Sequence, residues 1–228
     1  MSRIVAGTAG GRRLQTPEGA TTRPTTDRVR EAFFSVVASW NGTADAPVEH
    51  QLEGVGFLDL YAGSGAMGLE AASRGADPVL LVESHHGAQA TIEQNLASTG
   101  LAGQLRRTTV EALVAQPNPG AAFDIVWLDP PYDLTTDKLN AVLAALLPHQ
   151  WVRADGVVVV ERSGRQAPPV MAGTDAWDRR YGETTLCWFA PLGEEAADAA
   201  DPEATDAPPA PAEAPPEPAA ATTTEERP

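Results

Sequence analysis

Asp129-Pro130-Pro131-Tyr132 is the stretch of this 228-residue chain whose residue types best fit chemistry, and it follows the apolar run Phe123, Ile125, Val126, Trp127, Leu128. Two consecutive prolines remove two backbone donors and stiffen the turn while leaving its carbonyl oxygens available. The Asp129 carboxylate and the Pro130 carbonyl can accept both hydrogens of one planar amino group, and Tyr132 can lie against the ring that carries it. That arrangement suits the exocyclic amine of a nucleobase, whose lone pair is delocalised into the ring. Holding both N–H bonds favours the pyramidal nitrogen needed for attack, with no covalent intermediate. Read as structure alone, the same residues are a strand-to-helix loop whose Asp133, Thr135 or Thr136 starts the next helix.

A second constellation is Gly63-Ser64-Gly65-Ala66-Met67-Gly68, which follows Gly56-Phe57-Leu58-Asp59-Leu60-Tyr61-Ala62, with Glu83 placed 20 residues after Gly63. A glycine turn between a strand and a helix, with an acidic residue ending the next strand, is the pattern of a dinucleotide site and also of an S-adenosylmethionine site. Asp59 favours the latter, because a carboxylate there can meet a cationic amino-acid end and would repel a pyrophosphate. Tyr61 points the same way, since a dinucleotide loop needs a small residue for its tight turn. Glu83 suits a ribose diol under either cofactor, or else caps a helix.

These residues need a sheet to bring them together. Periodicity predicts strands over 56–60, 78–82 (closing with Glu83), 104–109, 123–128 and 156–161, and helices to about Arg74, over 85–97, 111–115 and 136–147. A closing hairpin is expected from 177–181 and 184–189. Strands alternating with helices imply a mostly parallel sheet covered on both faces, with an antiparallel strand added by the last hairpin, so both constellations fall at carboxyl ends of strands. Before this sheet, Ser2–Ala6 and Arg12–Gln15 read as a glycine-linked hairpin. A helix follows, capped by Thr25 or Thr26, with Val29, Ala32, Phe33, Val36 and Val37 as its apolar stripe and Arg28 and Arg30 directed away from it.

Charge is unevenly spread. The chain carries −15 overall, yet residues 1–30 hold six arginines against Glu18 and Asp27, while 194–228 hold ten acidic residues against Arg227. The latter stretch lacks aromatics, Ile, Val and Met and is expected to be disordered. The division that follows is a basic hairpin arm over 1–24, a catalytic domain over 25–192 and an Ala/Pro/Glu-rich tail over 193–228. Arg3, Arg12, Arg13, Arg23 and Arg28 are the candidate nucleic-acid contacts. One cysteine, Cys187, excludes an internal disulfide and reads as a core thiol. No metal-ligand spacing, export signal or apolar run of about 18 residues is present, so a cytoplasmic protein without metal or membrane is expected.

With these motifs placed, the chain resembles the bacterial RsmD-type small-subunit rRNA guanine-N2 methyltransferases. The resemblance runs from Arg3 to Ala190: Arg3-Ile4-Val5-Ala6-Gly7, Gly11-Arg12-Arg13-Leu14, Arg23-Pro24-Thr25-Thr26-Asp27-Arg28-Val29-Arg30-Glu31, Leu58 to Ala71, Asp129 to Tyr132 and Arg180 to Thr184. The glycine loop and Asp-Pro-Pro-Tyr are common to amino-methyltransferases, and the arginine-rich opening narrows the choice. The resemblance implies a class I S-adenosylmethionine-dependent fold, α/β and Rossmann-like with a seven-stranded sheet. It implies S-adenosylmethionine as donor and a guanine N2 in 16S rRNA, within the small ribosomal subunit, as acceptor for a monomeric enzyme. Carried over by position, Asp59, Tyr61, Gly63 and Gly65 line the donor, Glu83 its ribose, Asp129 and Pro130 the amine, and Tyr132 the flipped base. Where relatives carry an acidic residue near the end of the third strand, this chain has Thr108-Thr109-Val110-Glu111, leaving the Val110 backbone or Glu111 for the adenine amine. Competing functions are a DNA adenine or cytosine amino-methyltransferase, a protein glutamine methyltransferase, an NAD-dependent dehydrogenase and a non-catalytic rRNA assembly factor. The first lacks a sequence-reading domain, the second would carry Asn in place of Asp129, the third lacks a proton-transfer histidine, and intact Asp59 and Asp129 argue against the last.

Overall fold

The computed structural model describes residues 2–17 and 26–192. Arg23, the alternative cap Thr25 and the tail expected over 193–228 lie outside the described residues.

A two-stranded hairpin opens the chain, with β1 (Ser2–Arg3) antiparallel to β2 (Arg13–Leu14) in the register Ser2↔Leu14 and Arg3↔Arg13. Helix α1 (Asp27–Trp40) begins where Thr26 Oγ1 accepts from Val29 N at 3.3 Å. After a short 3-10 turn come β3 (Phe57–Leu60), α2 (Ala66–Ser73), β4 (Val79–Glu83), α3 (His86–Thr99), β5 (Gln104–Arg107), α4 (Val110–Val114), β6 (Phe123–Leu128), α5 (Thr136–Leu146), β7 (Val152–Ser163), β8 (Thr174–Tyr181) and β9 (Thr184–Pro191).

The last seven strands form one sheet in the order β5-β4-β3-β6-β7-β9-β8. Every pairing from β5 to β7 is parallel, and β9 lies antiparallel between β7 and β8. The order reverses at β3, which pairs with β4 on one side and β6 on the other, so a crevice opens above the carboxyl ends of β3 and β6. Strands β3 and β6 are buried on both faces, which explains why they read as apolar runs rather than alternating ones. On one face α1, α2 and α3 cover Phe57, Leu81, Trp127, Val159 and Trp188, and Phe33 stands edge-on to Trp127 with centroids 4.8 Å apart. On the other, α4 and α5 pack Val110, Leu139, Leu143 and Leu146 against Leu58, Val126 and Val158.

The strands at this end are longer than periodicity indicated. Strand β7 has 12 residues where six were expected, because it starts at Val152, paired with Phe123 of β6, and continues through Ser163↔Thr184 against β9. The hairpin strands at the start are shorter, at two residues each, but the loop between them is not loose. Ile4, Ala9 and Leu14 form a small core with Leu69 of α2, and the Glu70 carboxylate accepts from Val5 N at 2.6 Å and Ala6 N at 3.0 Å. Gly7 is pressed onto the end of α2, where a Cβ would fall 1.9 Å from the Ser73 carbonyl oxygen.

One expectation about α1 is overturned. Arg30 does not point away from the apolar stripe; it is 1% exposed. Its guanidinium donates to the Arg3 carbonyl at 3.1 Å and the Ser2 hydroxyl at 3.5 Å, and pairs with Asp27 at 3.0 Å. A cation is tolerated inside because the folded hairpin returns acceptors to it, a tertiary effect invisible to helical spacing. Among the described residues no helix is long and apolar enough to cross a membrane.

Candidate active site

The crevice has two halves. The first is built at the end of β3, where Tyr61 adopts φ +61° and Gly63 and Gly65 follow at +57° and +79°. Left-handed backbone at a bulky residue is uncommon and is held only when its surroundings over-determine it. Here the Tyr61 hydroxyl donates to Glu111 Oε1 at 2.9 Å, and Ala62 N donates to the Val82 carbonyl at 3.0 Å. Burial and the neighbouring Glu111 carboxylate both push the Tyr61 phenol upward, so it remains a donor. Gly65 ends the turn against β4, where a Cβ would fall 2.9 Å from Leu81 Cδ2.

Two carboxylates fix this loop from different sides. Asp59 lies beneath it, 1% exposed, with Oδ2 accepting from Gly68 N at 2.9 Å. Burial pushes its pKa up to about 7 against the pull of that backbone bond. So enclosed, Asp59 offers no open face to a ligand; it acts by tying the first turn of α2 to β3. Glu83, half-buried at the end of β4, accepts from Gly63 N at 2.8 Å through Oε2 and from His85 N at 2.7 Å through Oε1. A carboxylate oxygen can accept from more than one donor, so these backbone bonds are compatible with a ribose diol at the same carboxylate. The loop, the two glycines and Glu83 therefore fit a nucleoside-bearing cofactor. Val110 is 2% exposed and its side chain belongs to the core under α4, so only its backbone could meet an adenine, whereas Glu111 is exposed beside Tyr61.

The second half begins where β6 ends. Asp129 N donates to the Leu60 carbonyl at 3.4 Å, binding the turn to the neighbouring strand end. Pro130 is buried and Tyr132 is 66% exposed. Asp129, Pro130 and Tyr132 form one wall of a pocket of about 310 Å³. The facing wall comes from three other segments: Glu161, Arg162 and Ser163 at the end of β7, Arg165 and Gln166 just beyond it, and Glu183 and Thr184 at the β8–β9 turn. Gln166 Nε2 donates to the Tyr132 carbonyl at 2.9 Å, latching the two walls together. Buried Arg162 donates to the Leu134 carbonyl at 3.4 Å and to Thr136 Oγ1 at 3.3 Å, securing the chain where α5 starts, and desolvation lowers its pKa. Among the described residues no group of three or more His, Cys, Asp or Glu could hold a metal.

The pocket thus gathers Asp129, Pro130 and Tyr132 from the expected set, while Asp59, Tyr61, Gly63, Gly65, Glu83 and Val110 sit along β3, β4 and α4 outside its lining. The facing wall was not singled out as a base site from sequence. Its signals were the carboxyl end of β7, placed beside that of β6, and the Arg180-to-Thr184 stretch that turns back towards it.

The arginines divide. Arg12 donates to the Ser98 and Thr99 carbonyls at 3.0 and 2.9 Å, capping the last turn of α3. Arg3 pairs with Asp27 at 3.3 Å. Arg13, opposite Arg3 in the hairpin, and Arg28 are exposed and make no ion pair among the described residues.

The family model described as Conserved hypothetical protein 95 matches residues 2–190. The Ribosomal RNA small subunit methyltransferase D of Escherichia coli K12 is 34% identical over 169 residues, covering 74% of this chain and 78% of that protein. Among solved structures, a hypothetical protein of Thermus thermophilus superposes with a TM-score of 0.68 at 30% identity, covering 84% of this chain and all of the other. An Escherichia coli protein described as a methyltransferase superposes with a TM-score of 0.69 at 26% identity, covering 84% and 98%. The seven-stranded sheet with its one antiparallel strand is the class I methyltransferase fold.

Proposed function

Because this chain belongs to the Conserved hypothetical protein 95 family, the RsmD family, we propose that it is an S-adenosylmethionine-dependent rRNA methyltransferase whose acceptor is the exocyclic N2 amine of a guanine in 16S rRNA. The observation that carries this reading is the wall formed by Asp129, Pro130 and Tyr132 in an open pocket at the end of β6, beside the glycine loop of β3. When bound, S-adenosylmethionine supplies a methyl carbon made electrophilic by its sulfonium. The loop from Tyr61 to Gly65 and Glu83 would hold it, with Asp59 bracing the loop from below.

The remaining chemistry belongs to the acceptor side. Asp129 and the Pro130 carbonyl accept the two N–H bonds of the amine and draw its lone pair out of conjugation. As nitrogen gains its carbon substituent it loses one proton, which Asp129 takes and passes to solvent at the pocket mouth. Tyr132 stacks on the extruded base, replacing part of the stacking lost on leaving the RNA. Arg3 and Arg13 face each other across the hairpin; Asp27 pairs with Arg3, and the exposed Arg13 beside it is placed to meet a further anion. Together with Arg28 they form the phosphate contact of a monomeric enzyme acting on the small subunit.

The test is incubation of the protein with methyl-labelled S-adenosylmethionine and small subunits from a strain lacking it, followed by mapping of the label. Label on N2 of one guanine of 16S rRNA is the expected result. Label confined to adenine, DNA or protein would overturn the assignment.

A further inference from the structure

A second carboxylate stands beside Asp129. Strands β6 and β7 run parallel in the register Leu128↔Val160, so Asp129, the first residue after β6, follows beside Glu161 of β7, about 5 Å away by ordinary sheet spacing. Both line the same pocket. Alternation directs Glu161 towards the α1 face, because Val159, two residues earlier, and Leu186, opposite Glu161 on β9, belong to the core on that side. On the protein side, the buried Arg30 guanidinium lies near enough to Glu161 to feel its charge. On the pocket side, two adjacent carboxylates are complementary to a ligand edge that carries adjacent N–H donors.

Guanine has that edge. Its N1–H lies next to the N2 amine, whereas adenine and 2,6-diaminopurine present a bare lone pair at N1. The geometry points to Glu161 as the residue that reads the guanine N1–H while Asp129 and Pro130 hold the adjacent amine, making it a determinant of base specificity. This inference rests on the reading of the pocket as a guanine-N2 acceptor site. A base with an N1 lone pair would set that lone pair against the Glu161 carboxylate and leave a polar group unpaired, the kind of mismatch that discriminates most strongly.

The labelling experiment supplies the position of the acceptor guanine. Small subunits are then reconstituted with 16S rRNA carrying 2,6-diaminopurine at that position, which retains the 2-amino group, and methyl transfer is compared with the guanine-bearing subunit. For the wild-type chain, guanine is expected to be preferred by about 100-fold or more, since an unpaired buried group faces the wrong base. In Glu161→Gln the amide can donate to the bare N1, so the preference should shrink by about tenfold or more relative to wild type. Other pocket groups that sense position 6 affect both enzymes alike and cancel in that ratio. Unchanged preference in Glu161→Gln, with guanine still methylated, would overturn the role of Glu161. Equal losses on both bases, with lowered thermal stability, would also overturn it, leaving only an ionic support for Arg30. Should Glu161→Gln fail to fold, Glu161→Asp keeps the charge but withdraws it. It must then slow guanine transfer by about tenfold without rescuing diaminopurine, and any rescue counts against the proposal. Absence of label from guanine in the first experiment would instead reject the function on which this role depends.

Discussion

The hairpin side of the molecule and the pocket side both hold several charged groups, but they use them differently. Around α2, Glu70 is fully buried and shared among Val5 N, Ala6 N and Arg74 Nε, Arg12 caps α3, and Arg30 is enclosed by Ser2, Arg3 and Asp27. Around the pocket, Asp129 and Glu161 line open space, and Arg165 pairs with Glu183 at 3.4 Å on its rim. Charge on the first side holds elements together, and charge on the second borders a space that a ligand can fill. Sequence alone does not distinguish the two uses, because an arginine that caps a distant helix and one that meets phosphate are equally plausible in a basic stretch.

The largest effect that would break this contrast is on stability. Glu70→Ala strands two backbone donors and the Arg74 guanidinium in the interior and is expected to cost about 3–5 kcal/mol, as for other broken buried pairs. Chemical denaturation measures it; a loss below about 1 kcal/mol would mean that water enters and replaces the carboxylate.

On the pocket side the expected loss is of rate. Asp129→Ala removes one of two acceptors for the amine and should lower methyl transfer by about 100-fold, with cofactor affinity and melting temperature nearly unchanged. Calorimetry showing that Asp129→Ala abolishes S-adenosylmethionine binding would exchange the roles of the two strand ends.

Asp59 sharpens the comparison, since it lies on the same sheet edge as Asp129 yet is sealed. Its folded pKa of about 7 exceeds the ordinary 3.8, so the folded state keeps a proton that the unfolded chain has released between those values. Stability contributed by the neutral acid is therefore present below about pH 4 and lost as pH rises through about 7. Asp59→Asn cannot ionise and keeps an oxygen for Gly68 N, so its stability relative to wild type should rise by about 4 kcal/mol between pH 4 and pH 8. A pH-independent difference would place Asp59 in contact with water or a cation.

The smallest effect separates two neighbouring arginines. Arg13→Ala should reduce the salt dependence of RNA binding by about 0.7–0.9 log units per log unit of salt without lowering the melting temperature. Arg12→Ala should leave that slope unchanged and cost about 1 kcal/mol through its lost cap. Equal slopes for both variants would assign Arg12 a phosphate as well.

Much of the architecture was legible because strand interiors such as Phe57–Leu60 and Phe123–Leu128 are apolar throughout and end in punctuation, which placed Asp59 and Asp129 on one edge. Thr26 was legible as a cap because capping is local. The burial of Arg30, expected to face outward, and the cap made by Arg12, expected as a nucleic-acid contact, are hidden from sequence for the same physical reason: their partners lie 27 and 86 residues away and become acceptors only when the hairpin docks. The far pocket wall is not legible as a base site because its three short contributions, from β7, its following loop and the β8–β9 turn, carry no common motif.

The position of β9 has a consequence for biogenesis. It is the last strand among the described residues, yet it is inserted between β7 and β8 and shields the flank of β7 from Val158 to Ser163. During vectorial synthesis, every described helix and eight of the nine described strands leave the ribosome before that flank can be paired. The nascent protein therefore passes through a stage in which an apolar edge is uncovered and Thr184 is not yet in the pocket wall, so competence to modify RNA and protection from self-association arrive together, with the final hairpin.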